Sequence, residues 1–131
     1  LVERLGLDGV HLTDGARGVR KAREALGADA IVGAFCGASR HDGMTAGETG
    51  ADYVAFGPVS AGGLGDGTVA DRELFAWWSE MIEVPVVAEG GLTVDLVRDL
   101  SPVTDFFAVG EEIWREEDAL AALRRLLAPV A

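Results

Sequence analysis

The sequence predicts an α/β fold built on a parallel sheet. Three observations carry that expectation. Five short runs, at 9–12 (GVHL), 30–35 (AIVGAF), 52–57 (DYVAFG), 85–90 (PVVAEG) and 105–110 (DFFAVG), are rich in Val, Ile, Phe or Ala. Most of them lack polar alternation, which is how strands covered on both faces read. Helical patterns fill the intervals, and strand starts recur roughly every 20 residues apart from one gap widened by glycines. Alternation at that spacing means successive βα units. Right-handed crossovers then give either an open sheet with helices on both faces or a closed barrel, and the pattern alone leaves both open.

Each element has its own warrant. Residues 1–12 read as a helix tail running into the first strand, and a chain that starts at Leu1 in this way is expected to be a piece of something longer. Residues 19–26 place Val19, Ala22 and Leu26 on one helix face, with Arg20, Lys21 and Glu24 elsewhere. The segment after Phe35 is a poorer helix, centred on Met44 to Glu48. Residues 71–82 set Leu74, Trp77, Trp78 and Met81 along a stripe, with Asp71 as N-cap and Glu73 in the first turn. Thr93 caps another helix. The tail 116–127 puts Leu120, Leu123 and Leu127 on one side, and Arg124 and Arg125 near its end suit the helix dipole. Residues 1–131 contain no linker signal and read as part of a single domain.

Composition narrows the function classes. A net charge of −11, from 22 acidic against 11 basic residues, repels nucleic acid and anionic lipid. It also opposes a phosphorylated ligand unless local groups overcome the general field. Apolar residues make up 49% of the chain, enough for a packed core. No run approaches the ~18 apolar residues a membrane crossing needs. No basic-then-apolar leader is present, so a cytoplasmic location is expected. A single cysteine, Cys36, excludes an intrachain disulfide and a cysteine-rich zinc site.

Parallel α/β folds bind ligands at the C-terminal ends of their strands. After the first strand, Asp14-Gly15 is a turn signal, and Asp14 is a candidate magnesium ligand. His11, inside that strand, is expected to pack. After the second, Cys36 reads as a small buried apolar group, and Arg40 and His41 as part of a solvated loop. The third strand leads into GPVSAGGLGDGTVAD (57–71), a lid-like loop with no Lys or Arg between Pro58 and Ala70. Backbone N–H groups and the Ser60 and Thr68 hydroxyls are what it offers a ligand. After the fourth strand, Gly90 and Gly91 bare the backbone just ahead of the helix capped by Thr93. That is either a tight turn or an oxyanion site at a helix N-terminus. After the fifth, Glu111 and Glu112 suit a helix dipole and oppose a phosphate, and Trp114 is expected to pack.

GVHL, GADYVAFGPV (50–59), VPVVAEGGLT (84–93) and DFFAVG occur in an order and spacing that resemble the C-terminal portion of the thiamine-phosphate synthase family, TenI-like proteins included. The resemblance covers almost the whole chain. It implies a (β/α)8 TIM barrel, of which about the last five βα units are here, leaving two sheet edges open to association, hence a possible homo-oligomer. It implies the joining of hydroxymethylpyrimidine diphosphate to thiazole phosphate, with Mg2+ and release of pyrophosphate. The implied partners are phosphorylated pyrimidine and thiazole ligands, with no nucleic acid and no membrane. Gly90 and Gly91 fall on the family's phosphate-binding glycine pair. Gly110 takes the place of the serine that ends the last strand. Gly57 and Pro58 match the end of the family's sixth strand, and Gly57, Ser60, Gly62 and Gly63 form the substrate loop. His11 matches a strand histidine that leads to a metal-binding aspartate. That aspartate falls on Ala16, with Asp14 the nearest substitute. The family's hydroxyl and histidine after the next strand fall on Phe35 and Gly37, and its Thr-x-Thr-Lys segment is absent from the glycine-rich loop. No catalytic residue is assigned. Two other readings follow: a degenerate member that binds phosphate or thiazole phosphate without catalysis, and a TenI-like thiazole tautomerase, with His41 close to the histidine position.

Overall fold

In a computed structural model, the described residues are 9–13, 15–27, 29–60, 69–109, 113 and 116–130. Five strands alternate with five helices: β1 (Gly9–Leu12), α1 (Val19–Leu26), β2 (Ile31–Phe35), α2 (Arg40–Glu48), β3 (Tyr53–Phe56), α3 (Arg72–Met81), β4 (Val86–Glu89), α4 (Val94–Leu100), β5 (Phe106–Ala108) and α5 (Ala119–Leu127). The strands form one parallel sheet in the order β1-β2-β3-β4-β5. Gly9 pairs with Ile31, Gly33 with Tyr53, Val54 with Val86 and Val87 with Phe106.

Side chains alternate across a strand, so this register sorts the sheet into two faces. Val32, Ala34, Val54, Phe56, Val86 and Ala88 point to one side and join a single core with buried residues from all five helices: Val19, Ala46, Phe75, Trp78, Val97 and Leu126. His11, Ile31, Gly33, Tyr53, Ala55, Val87, Glu89 and Phe106 lie on the other side. There Ile31 is 50% and Phe106 60% exposed. The near-continuous apolar runs therefore do not mean cover on both faces among the described residues. Helices on one face of a sequentially ordered parallel sheet also exclude the doubly wound alternative and fit the wall of a barrel.

The core is aromatic at its centre. Phe56 meets Phe75 edge-on at 5.9 Å and Trp78 at 5.3 Å. Gly43 lets α2 sit close against them, since a Cβ there would come within 2.8 Å of both Phe56 and Trp78. The Trp78 indole N–H donates to the Val84 carbonyl at 2.8 Å, so burial leaves no orphan donor.

Three helices depart from the sequence expectation. α2 begins at Arg40, because the Ser39 hydroxyl accepts from the Asp42 N–H and starts the helix four residues before Met44. Arg40 and His41 are thus first-turn residues rather than loop. On α3, Phe75 is buried and Met81, at the last position, is exposed. On α5, Ala122 and Leu126 face the core while Leu120 is exposed. The N-caps Asp71 and Thr93 are as expected, accepting from the Leu74 and Leu96 N–H groups.

Candidate functional site

The C-terminal ends of β3 and β4 bring two of the predicted groups together. Gly90 and Gly91 both adopt left-handed backbone, with φ of +88° and +77°. A Cβ on Gly90 would come within 2.8 Å of the Pro58 Cα, so this position needs glycine on two counts. The Val59 N–H donates to the Gly90 carbonyl at 2.7 Å, and the Ser60 hydroxyl to the Gly91 carbonyl at 2.8 Å. A side chain on Gly57 would run into the Glu89 carbonyl. Gly57, Pro58 and Ser60 are therefore seated on the Gly90-Gly91 turn, and the Gly57–Pro58 peptide is cis. Directly beyond the turn, Thr93 caps α4. Of the other predicted site residues, Asp14, Gly62, Gly63 and Gly110 lie outside the described residues, as do Thr68, Glu111, Glu112 and Trp114.

A second group converges on the open face, and sequence reasoning missed it. The His11 Nδ1 and the Tyr53 hydroxyl are 2.7 Å apart, with their rings stacked at 5.7 Å. The His11 Nε2 is 3.6 Å from Glu89 Oε1, with side-chain exposures of 38% and 27%. His11 stands on β1, Tyr53 on β3 and Glu89 on β4. Neighbouring strands are ~4.8 Å apart, so two intervening strands must be bridged by side chains leaning inward over a concave surface. The small residues between them permit it. Gly33 and Ala55 occupy the intervening face positions, and a Cβ on Gly33 would be built into the Tyr53 ring. His11, expected to pack, is exposed and hydrogen-bonded instead. Burial, then the Glu89 charge, raise the Tyr53 pKa above its ordinary value, so Tyr53 stays a phenol.

Cys36 is buried as expected, and burial together with Asp42 pushes its thiol up to about 12, which removes it as a nucleophile near neutral pH. The Arg40 guanidinium lies 4.1 Å over the Trp77 ring. The Asp42 carboxylate faces Gly15, an acid the sequence reading had not singled out. Among the described residues no three His, Cys, Asp or Glu side chains come together to hold a metal.

A parallel sheet with helices on one face and glycine turns at its C-terminal rim is part of a (β/α)8 barrel, the class whose ligands sit at that rim. The sequence profile of the family described as thiamine monophosphate synthase matches residues 1–113, and the chain belongs to that family. It is 48% identical over 124 residues to a thiamine-phosphate synthase of Rhodospirillum centenum, covering 93% of this chain and 60% of the relative. A thiamine-phosphate synthase of Erythrobacter litoralis is 43% identical over 125 residues, covering 92% and 59%. Among solved structures, a thiamine phosphate pyrophosphorylase from Pyrococcus furiosus superposes with a TM-score of 0.85 at 28% identity, over 98% of this chain and 62% of that one. A 3-hexulose-6-phosphate synthase, at TM-score 0.70 and 21% identity, shares the fold. The chain spans about 60% of the length of the curated relatives it matches. No helix among the described residues is long and apolar enough to cross a membrane.

Proposed function

We propose that this chain is the C-terminal part of a thiamine-phosphate synthase barrel, the enzyme of thiamine biosynthesis that joins hydroxymethylpyrimidine diphosphate to thiazole phosphate and releases pyrophosphate. The observation that carries this is the Gly90-Gly91 turn, held by Val59 and Ser60 and followed at once by α4, in a chain 48% identical to a thiamine-phosphate synthase. In this reading the bare N–H groups of the turn receive the thiazole phosphate without a cationic side chain. Glycine at both positions lets the ligand approach the backbone closely. Gly57 and Ser60, seated on the turn, would line the same pocket, and Gly62, Gly63 and Gly110 are the further candidates that the family resemblance offers. Asp14, with Asp42 facing its neighbour Gly15, is the carboxylate a magnesium ion would use. A cytoplasmic location and association through the outer strands β1 and β5 go with this reading.

The test is calorimetric titration of the chain, in its natural full-length context, with thiazole phosphate. Gly91→Val should weaken binding by about tenfold or more, since it forfeits both the left-handed turn and the close approach. Unchanged affinity removes the pocket. Incubation with both substrates then separates catalysis from binding alone: pyrophosphate release supports the synthase, and thiazole phosphate binding without product supports a non-catalytic member.

A further inference from the structure

We propose that the outer surface of α2 and α3 is an interface between two copies of this protein, in which Arg40 of each copy meets the acidic hollow at the C-terminal end of α3 in the other. This goes beyond the synthase reading and does not depend on it.

Both methionines of the chain stand on this surface. Met44, on α2, is 37% exposed, and Met81, the last residue of α3, is 62% exposed. Trp77 lies one turn before Met81 and is only partly buried. Arg40 lies one turn before Met44, and its guanidinium sits 4.1 Å over the Trp77 ring, which ties the two helices into one strip. Tryptophan, methionine and arginine are the side chains enriched where proteins meet. Charge is placed unevenly along the strip. Among the described residues Arg40 has the Trp77 ring as its contact and no ion pair. A guanidinium stacked by its face keeps its N–H edge for a carboxylate. Glu73, in the first turn of α3, is the acid at this end. At the other end Glu48, Glu80 and Glu83 are exposed, and Glu80 and Glu83 line an open hollow with Ser79, Met81, Ile82 and Asp105.

That distribution specifies the occupant. A two-fold axis crossing the strip lays Arg40 of one copy beside the hollow of its partner and the reverse, while Met44, Trp77 and Met81 of both copies meet between them. One surface supplies both halves of the contact, with an apolar centre and opposite charges at its ends. The strip also stays outside a completed barrel. It follows the inner strands β2 and β3, with α1 and α4 on either side in the element order, whereas further strands would add at the edges β1 and β5.

The test is sedimentation velocity on the protein in its natural full-length context, over roughly 1–100 µM, where a weak interface is half-occupied. Wild type should dimerise within this range. Arg40→Glu should weaken dimerisation about tenfold or more, and so should the double variant Glu80→Lys/Glu83→Lys, since each sets like charges against each other at both contacts. Mixed in equal amounts, the two variants should associate as wild type does, because every charge contact in the mixed dimer is again opposite in sign. Urea midpoints near that of wild type show that both variants keep the fold. A protein that stays monomeric throughout overturns the proposal. So does a dimer that neither charge reversal weakens, which puts association at the sheet edges instead. Two weakened variants that fail to recover on mixing overturn the paired geometry and the proposal with it.

Discussion

At the N-terminal ends of the strands, charged side chains close on the protein's own backbone. Arg23 donates to the Ala30 and Gly50 carbonyls, both at 2.6 Å, to Gly27 at 3.1 Å and to Asp52 at 2.7 Å. Asp52 in turn accepts from the Val32 N–H at 2.8 Å, and Asp105 accepts from the Val86 N–H at 2.9 Å. Each aspartate stands just before its own strand and ties down the start of the strand preceding it. At the C-terminal ends the arrangement differs. Carbonyls of a glycine turn are held by a loop, and His11, Tyr53 and Glu89 meet on the open face. The first end uses its polar groups to hold the sheet, and the second gathers them on its open face. The lesson is that one repeated βα unit divides stability and chemistry between its two ends.

That division can be broken by experiment. The largest effect should come from Arg23→Met, which strips three carbonyls of a donor and should cost roughly 2–4 kcal/mol, measured by urea unfolding. Its ligand affinities should stay within about twofold of wild type at temperatures where it is folded. A large affinity change with little loss of stability would erase the distinction between the two ends. Asp105→Ala should cost about 1 kcal/mol in the same measurement, since it removes a single part-buried hydrogen bond. A cost equal to that of Arg23→Met would mean that the Arg23 contacts to three carbonyls add nothing beyond a single strand-start hydrogen bond.

The smallest effect should be the acid response of Asp52. Burial would raise its carboxyl, but the Val32 N–H, the Arg23 hydrogen bond and the Arg23 charge together hold it below the ordinary value of 3.8. A depressed folded-state pKa contributes stability that is present above the unfolded value and lost as the pH falls through the folded one. The stability difference between wild type and Asp52→Asn should thus be flat above about pH 5 and shrink below 3.8. About half of the Asp52 side chain is exposed, so solvent screening keeps the effect small. A difference that grows on acidification would reverse the assignment.

Much of the fold was legible because βα units announce themselves by short-range pattern. All five strands lie within the apolar runs, and α1 spans the residues expected of it. What failed had local causes. The start of α2 depended on a serine cap in front of a glycine-containing helix whose apolar pattern is faint. The buried faces of α3 and α5 depended on where each helix lands on the sheet, which periodicity leaves free by about one residue. The site was half legible. Gly90 and Gly91 were marked by composition, but the link from Ser60 to Gly91 crosses 31 residues. The meeting of His11, Tyr53 and Glu89 depends on sheet curvature and on the missing side chain of Gly33, and neither leaves a motif. A signal did exist: Glu89 is a carboxylate ending an otherwise apolar strand, a costly place for a charge without a partner.

The sequential strand order has a kinetic meaning. Gly9 pairs with Ile31, Gly33 with Tyr53, Val54 with Val86 and Val87 with Phe106, so each ladder joins segments that are neighbours along the chain. Each pairing joins positions 19 to 32 residues apart, one βα crossover, and none spans the whole chain. Assembly can therefore run one βα unit after another, and a nascent polypeptide can begin to organise before its last segment has left the ribosome.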